Sequence, residues 1–324
     1  MANGNRKGTI TAYGLKAAVK AGIWKASPRI LERFQTPATQ EFSIGIYTGA
    51  SLAQLAPAAG IANPVLTRRD VSDVPATLVA DPFLCRTAQR WYMFFEVIDA
   101  ITRKGVIAVA GSDDGLRWHY DRVVLEEKFH LSYPHVFAWG GSYYMIPETG
   151  EDRCVRLYRA AKFPHRWKLV STLLEDASFV DSSIFRWRDC WWLFTGTSTS
   201  QDEQSAALHL FYADELHGPW HEHPANPIVD SSVSIARPAG RVVLCDGRPV
   251  RFAQSGYPDY GTEVHAFSLT ELSRSRYAEE PLHTGLLEPG AQSWNSGGMH
   301  HLDAHLLPDG TWLASVDGWK KNPG

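Results

Sequence analysis

The chain has 324 residues, of which 44% are hydrophobic, 21% charged and 12% aromatic, and its formal net charge is −3. That composition excludes a disordered chain and supplies no excess of basic residues to draw nucleic acid or an anionic membrane. No apolar run approaches the roughly 18 residues of a membrane span, and Arg6, Lys7, Lys16 and Lys20 interrupt the segment where a secretory leader would lie. Cys85, Cys154, Cys190 and Cys245 are far apart and form no Cys-x-x-Cys pair. A structural zinc is therefore not expected, and the thiols read as buried, reduced side chains of a cytoplasmic protein.

Residues 1–40 form an N-terminal extension in which residues 16–24 have the pattern of a short amphipathic helix ahead of Pro28. Residues 42–47 and 64–67 read as strands. A repeat follows: Asp81-Pro82-Phe83-Leu84 with Trp91-Tyr92-Met93-Phe94-Phe95-Glu96, then His135-Val136-Phe137 with Tyr143-Tyr144-Met145-Ile146-Pro147-Glu148, then Ile184-Phe185 with Trp191-Trp192-Leu193-Phe194-Thr195-Gly196. Each pair is a strand, a polar turn and an aromatic strand, and each continues through an apolar third strand to a Trp that opens a fourth. These Trp residues, Trp118, Trp167 and Trp220, are 49 and 53 residues apart. A weaker fourth copy runs through residues 240–244, 249–254 and 263–269 to Tyr277, and a fifth stops after two strands, at residues 301–305 and 312–317. The two N-terminal strands supply its missing outer half. The chain thus predicts an all-β, five-bladed β-propeller over residues 41–319, its last blade closed by N-terminal strands, with residues 320–324 as a tail.

In such a ring the first strands line the central channel, so a site collects one or two residues from each blade. The first strands begin with Asp81, His135, Asp181, Arg237 and His301, and the second strands end with Glu96, Glu148, Gly196, Gln254 and Asp317. Carboxylates crowded around one pocket either pair structurally or acquire the separated proton affinities that acid–base chemistry uses. With aromatic side chains at the mouth, they suggest glycosyl chemistry. Tyr133, Trp139, Tyr257, Tyr260, Trp294 and Trp319 are the candidates for a sugar-stacking platform. On a strand, His300 and His301 face opposite ways while His301, Asp303 and His305 share a face, which favours a hydroxyl-binding or acid role over a metal site. No cofactor is expected, although a structural channel cation such as calcium, held by carboxylates and water, is compatible with the pattern.

Ala80-Asp81-Pro82-Phe83, Ser112-Asp113-Asp114-Gly115-Leu116-Arg117-Trp118, Leu131-Ser132-Tyr133-Pro134-His135, Ala236-Arg237-Pro238-Ala239-Gly240 and Gly298-Met299-His300-His301-Leu302-Asp303, with the aromatic strands quoted above, resemble a known domain. It is the propeller at the N-terminus of plant glucosamine inositolphosphorylceramide transferases and of related bacterial proteins, some of them fused to formyltransferase-like domains. In the plant proteins the transferase chemistry is assigned to a separate C-terminal domain that this sequence lacks. More distantly, the pattern is similar to glycoside hydrolase families 43, 32, 62, 68 and 117. The family 43 pattern implies Asp81 as base or nucleophile and Asp181 as the residue that orients and tunes the acid. Its acid has no counterpart in blade four, where Arg237 and Gln254 take the inner positions, and Glu148 of blade two is assigned that role.

The leading expectation is a carbohydrate-active enzyme that hydrolyses or transfers a glycosyl unit, with Asp81, Glu148 and Asp181 catalytic. Glu96, Tyr133, His135, Arg237, Gln254, His300, His301 and Asp303 would bind the carbohydrate or glycoconjugate. Arg237 hints at an anionic substrate group. The alternative is a non-catalytic sugar-recognition or scaffolding propeller beside a separate glycosyltransferase or formyltransferase.

Overall fold

The computed structural model describes residues 40–198 and 206–321. Strands β1 (Glu41–Gly49) and β2 (Ala56–Pro57) come first, followed by a four-stranded antiparallel sheet of β3 (Ala76–Arg86), β4 (Trp91–Asp99), β5 (Gly105–Ser112) and β6 (His119–Leu125). The second sheet holds β7 (Ser132–Trp139), β8 (Ser142–Glu148), β9 (Cys154–Lys162) and β10 (Arg166–Glu175). The third holds β11 (Phe179–Trp187), β12 (Cys190–Ser198), β13 (Ala206–Ala213) and β14 (His221–Glu222), with β15 (Val229–Ser232) also paired to β13. β16 (Val243–Cys245), β17 (Arg248–Ser255), β18 (Glu263–Leu272) and β19 (Tyr277–Leu287) make the fourth, while β20 (Leu302–Leu306) and β21 (Trp312–Lys320) join β1 and β2 in the fifth. These sheets are the five blades of a propeller.

β1 pairs antiparallel with β21 along its whole length, from Glu41↔Lys320 to Gly49↔Trp312, so N-terminal sequence closes the C-terminal blade. One detail differs from expectation. The strand anticipated at residues 64–67 is reduced to a single bridge, Ile44↔Leu66, and β2 pairs with Tyr47 and Thr48 instead. Pro57 and Pro64 lack an N–H, which confines either segment to a sheet edge. The helix expected at residues 16–24 and the end of the tail lie outside the described residues.

The aromatic runs follow from blades that bury both faces. Trp91, Met93 and Phe95 point toward the fifth blade, where they pack with Ile44, Ile46 and Leu313, while Phe94 points the other way, against Val136, Met145 and Tyr158 of the second. Similar seams separate the other neighbouring blades. The periodic Trp residues cap turns. Trp118 donates its indole N–H to Gly115 O (3.1 Å), Trp167 to Pro164 O (2.8 Å) and Trp220 to Leu216 O (3.3 Å).

The central channel is filled below its mouth. Phe83, Tyr133, His135 and His301 form a layer of rings with centroids 4.7–5.3 Å apart. Tyr133 Oη bonds to Ser183 Oγ (2.8 Å) and donates to Gly240 O (3.0 Å). Gly240 has φ +136°, and a Cβ there would meet Leu302 O at 1.9 Å, so blades four and five close at this point only around a glycine. Three residues below the mouth along the first strands, roughly 10 Å at strand rise, Arg241 seals the channel. Its Nε donates to Asp303 Oδ1 (2.7 Å), and its Nη2 reaches Leu84 O (3.1 Å) and Val136 O (3.0 Å), tying blade four to blades five, one and two. Arg241→Met should lower the unfolding free energy by about 3–5 kcal/mol, because Asp303 is left buried without its cation. In a denaturant titration the Arg241→Met, Asp303→Asn double variant should recover part of that loss; equal stability of the two would place the cost elsewhere.

Candidate active site

Blades one to three share a device at the mouth. At Asp81, Tyr133 and Asp181 the first strand turns into the left-handed region, with φ of 53°, 45° and 49°, and each lies in a register shift against the second strand. For a bulky Tyr this conformation is an outlier that neighbouring contacts must hold, at a cost of order 1–3 kcal/mol. A carboxylate holds each one. Asp317 Oδ2 accepts from Asp81 N–H (2.8 Å), Asp81 Oδ2 from Tyr133 N–H (3.1 Å) and Glu148 Oε2 from Asp181 N–H (3.1 Å). In blade two, Tyr133 and not His135 therefore corresponds to Asp81 and Asp181. His135 sits two residues deeper in the ring layer, its Nδ1 accepting from Ile184 N–H (3.3 Å).

Glu148, Asp181, Arg237 and Gln254 form one half of the mouth. Arg237 Nε bonds to Asp181 Oδ2, its Nη2 lies 3.7 Å from Glu148 Oε2, and Gln254 Nε2 donates to Asp181 Oδ2 (2.9 Å). The Arg237 guanidinium also lies 5.3 Å from the centre of the Tyr260 ring. Burial, followed by the charge of Asp181, pushes the Glu148 carboxyl up to about 8, against the opposing pull of Arg237 and His130. With 14% of its side chain exposed, Glu148 keeps an edge toward solvent while burial favours its protonated form.

The other half holds Asp81, Glu96, His300 and Asp317. Burial raises Asp81 well above the usual carboxylate range; His300 opposes this, while Glu96, Asp181 and Asp317 add to it. His300 Nδ1 lies 2.7 Å from Asp317 Oδ1 and its Nε2 lies 3.5 Å from Asp81 Oδ1. Burial alone would depress this imidazole, but Asp317 and then Asp81 lift it to about 9. Glu96 is engaged with His130, whose Nε2 faces Glu96 Oε1 (3.0 Å); burial would depress this imidazole, but Glu96 lifts it to about 9.

The expected residues thus divide by depth. Asp81, Glu96, Glu148, Asp181, Arg237, Gln254 and His300 gather at the mouth, whereas Tyr133, His135 and His301 belong to the ring layer below. Burial lowers His301 to about 4. Asp303 lies deeper still, held by Arg241 and by His305 Nε2 (3.1 Å), with its Oδ2 accepting from Leu84 N–H (2.6 Å), so its carboxylate is occupied away from the mouth. Of the aromatic candidates, Trp294 and Trp319 are buried core and Trp139 lies on the β7–β8 hairpin at the far end of its strand. Tyr257, 70% exposed, and Tyr260 remain, both on the β17–β18 loop. Arg241 and His130 carried no motif; the roles of both depend on partners in other blades.

One oxygen or nitrogen from each of Asp81, His300 and Asp317 converges within 4.8 Å. The set does not fit calcium, which takes six to eight oxygen ligands. Both Asp317 oxygens and one of Asp81 already accept N–H donors, and His300 offers nitrogen.

Residues 38–319 match the family described as glucosamine inositolphosphorylceramide transferase 1, N-terminal. The chain belongs to this family. A glucosamine inositolphosphorylceramide transferase 1 from Oryza sativa subsp. japonica is 37% identical over 296 residues, covering 86% of this chain and 40% of the relative, so the chain spans about two fifths of that protein's length. Among solved structures, a β-1,2-mannobiose phosphorylase from Listeria innocua aligns with a TM-score of 0.61 at 12% identity, over 85% of this chain and 97% of the other. A family 117 glycoside hydrolase from Zobellia galactanivorans aligns with a TM-score of 0.51 at 15% identity, over 76% and 86%. At these identities the likeness concerns the propeller fold. No helix among the described residues is long and apolar enough to cross a membrane.

The mouth of this N-terminal transferase-family propeller should make stability fall with rising pH. His300 is raised from 6.5 to about 9, so its contribution is complete below 6.5 and is lost toward 9. Glu148, raised from 4.5 to about 8, binds a proton in the native state that the unfolded chain has released, which adds a loss up to 8. Calorimetric Tm values should decline from pH 6.5 to 9, and Glu148→Gln should flatten the decline below pH 8. A Glu148→Gln profile parallel to the wild type would contradict the assignment.

Proposed function

We propose that the pocket acts on a glycosyl unit, with Glu148 as general acid, Asp81 as base or nucleophile and Asp181 as the group that orients and tunes Glu148. The observation that carries this reading is the Glu148–Asp181–Arg237 cluster. Arg237 and Gln254 bind the Asp181 carboxylate, and burial and the Asp181 charge favour a proton on Glu148. In hydrolysis Glu148 would give that proton to the leaving oxygen as the glycosidic bond breaks, while Asp81 takes one from the water that attacks the anomeric carbon. In transfer an acceptor hydroxyl replaces the water. The propeller glycosidase and phosphorylase that share the fold, and the transferase that shares the sequence family, support a sugar as the substrate class. Arg237 is already committed to Asp181, so its chemistry argues for tuning the acid more than for binding an anion.

A second reading is a sugar-recognition module serving a transferase. The burial of Asp81, which favours its neutral form, supports it, as does the two-fifths coverage of the rice relative. Turnover of aryl glycosides, furanosides and anionic sugars by wild type, Asp81→Asn and Glu148→Gln separates the two. The amide introduced by Asp81→Asn keeps an acceptor for Tyr133 N–H, so the fold should survive, and each variant should lose about 10²–10⁴-fold in kcat. Ligand-induced stabilisation in all three proteins without turnover in any would select the recognition module.

A further inference from the structure

Asp317 is fully buried and gathers N–H donors on both of its oxygens. Its Oδ2 accepts from Asp81 N–H (2.8 Å), and its Oδ1 accepts from His301 N–H (3.1 Å) and faces His300 Nδ1 (2.7 Å). The other ring nitrogen of His300 faces Asp81 Oδ1 at 3.5 Å. An imidazole with a carboxylate at each nitrogen is matched as a doubly protonated cation, because only that form donates on both sides. The rings of Phe42 and Tyr260 cover it at 4.7 and 5.4 Å, and a Cβ on Gly261 would come within 2.9 Å of His300 Cβ, so the side chain has little room to turn.

The groups around Asp81 explain what such a cation accomplishes. The carboxylates of Glu96, Asp181 and Asp317 surround Asp81, all of them disfavouring its charge, and His301 Nδ1 stands 3.8 Å away in a layer where burial keeps it neutral. His300 is the cation in contact with it. We propose that Asp317 and His300 act as a positioning pair, Asp317 fixing the left-handed backbone of Asp81 and orienting His300 so that the imidazolium opposes protonation of the Asp81 carboxyl. The proposal rests on the reading of Asp81 as the base, and it assigns to Asp317 a role that neither motif nor family likeness supplied.

The experiment follows the Asp81 carboxyl directly, by ¹³C NMR titration of protein labelled at aspartate, in the wild type, His300→Gln and Asp317→Asn. His300→Gln should raise the Asp81 midpoint by about one pH unit or more, and Asp317→Asn should bring the His300 midpoint down from about 9 toward 6.5. If turnover is found, the acid limb of kcat/KM should move by the same amount, with kcat down about 10- to 100-fold and KM within about threefold. Asp317→Glu, which restores the charge, should recover part of the shift. Because Asp317 also supports the backbone of β3, wild-type protein supplies an arm independent of variant folding: its His300 imidazole should titrate at about 9. A His300 midpoint near 6.5, or an Asp81 midpoint unchanged in His300→Gln, would overturn the pair. A shifted Asp81 midpoint in protein that turns over no sugar would instead remove the enzymatic reading and leave the pair standing.

Discussion

The mouth of the propeller depends on a single repeated interaction, a side-chain carboxylate accepting the amide of a left-handed residue in the next blade. Asp317 does this for Asp81, Asp81 for Tyr133 and Glu148 for Asp181, so the contacts run from the fifth blade through the first and second to the third. Each contact holds strained backbone, and each brings an acid to the centre of the ring. The charge gathered at the mouth is therefore also the charge that ties blades together. It follows that carboxylates here cannot be exchanged for apolar groups without loosening the ring, even where they have no contact with a ligand.

Depth organises the remainder. At the mouth, five carboxylates, Asp81, Glu96, Glu148, Asp181 and Asp317, face Arg237, His130 and His300. The layer beneath is aromatic and imidazole, and below that Arg241 is spent on Asp303 and two carbonyls. The ring layer separates the upper charges from the lower pair, so the acids above cannot be neutralised by Arg241. Their excess over nearby cations is one reason that burial raises Glu148 and Asp81 instead of leaving them as ordinary ions. The proton affinities at the mouth depend on where the cations are withheld as much as on where they are placed.

The blade count and the split fifth blade were legible because aromatic second strands and turn-capping Trp residues recur at a fixed period, and burial on both faces of every blade demands that pattern. The inner ring was legible for the same reason: Glu96, Glu148, Gln254 and Asp317 occupy equivalent strand ends. What the sequence did not disclose is depth. His301 and Asp303 follow His300 within three residues, yet one joins the ring layer and the other meets Arg241, because successive strand positions descend the channel. The shift of His135 against Tyr133 was hidden too, since a bulge adds a residue without altering the apolar rhythm. Residues 64–67 had the composition of a strand, but their pairing stops at Ile44, because the Asn63 side chain takes the N–H and C=O of Ile46 and β2 pairs with Tyr47 and Thr48 beyond it.

The closure of blade five fixes where the propeller meets the rest of a polypeptide. Glu41 and Lys320 are paired neighbours, so the chain enters and leaves the ring at almost one point. That point lies beyond Asp317 on β21, on the face where the acids open and on the blade that carries Asp317. Both ends of the described ring thus lie on the side where the acids gather, away from the Arg241 layer. In a longer protein of this architecture, the tether itself would set how near a neighbouring domain stands to whatever the pocket holds, with no contact surface needed to bring the two together.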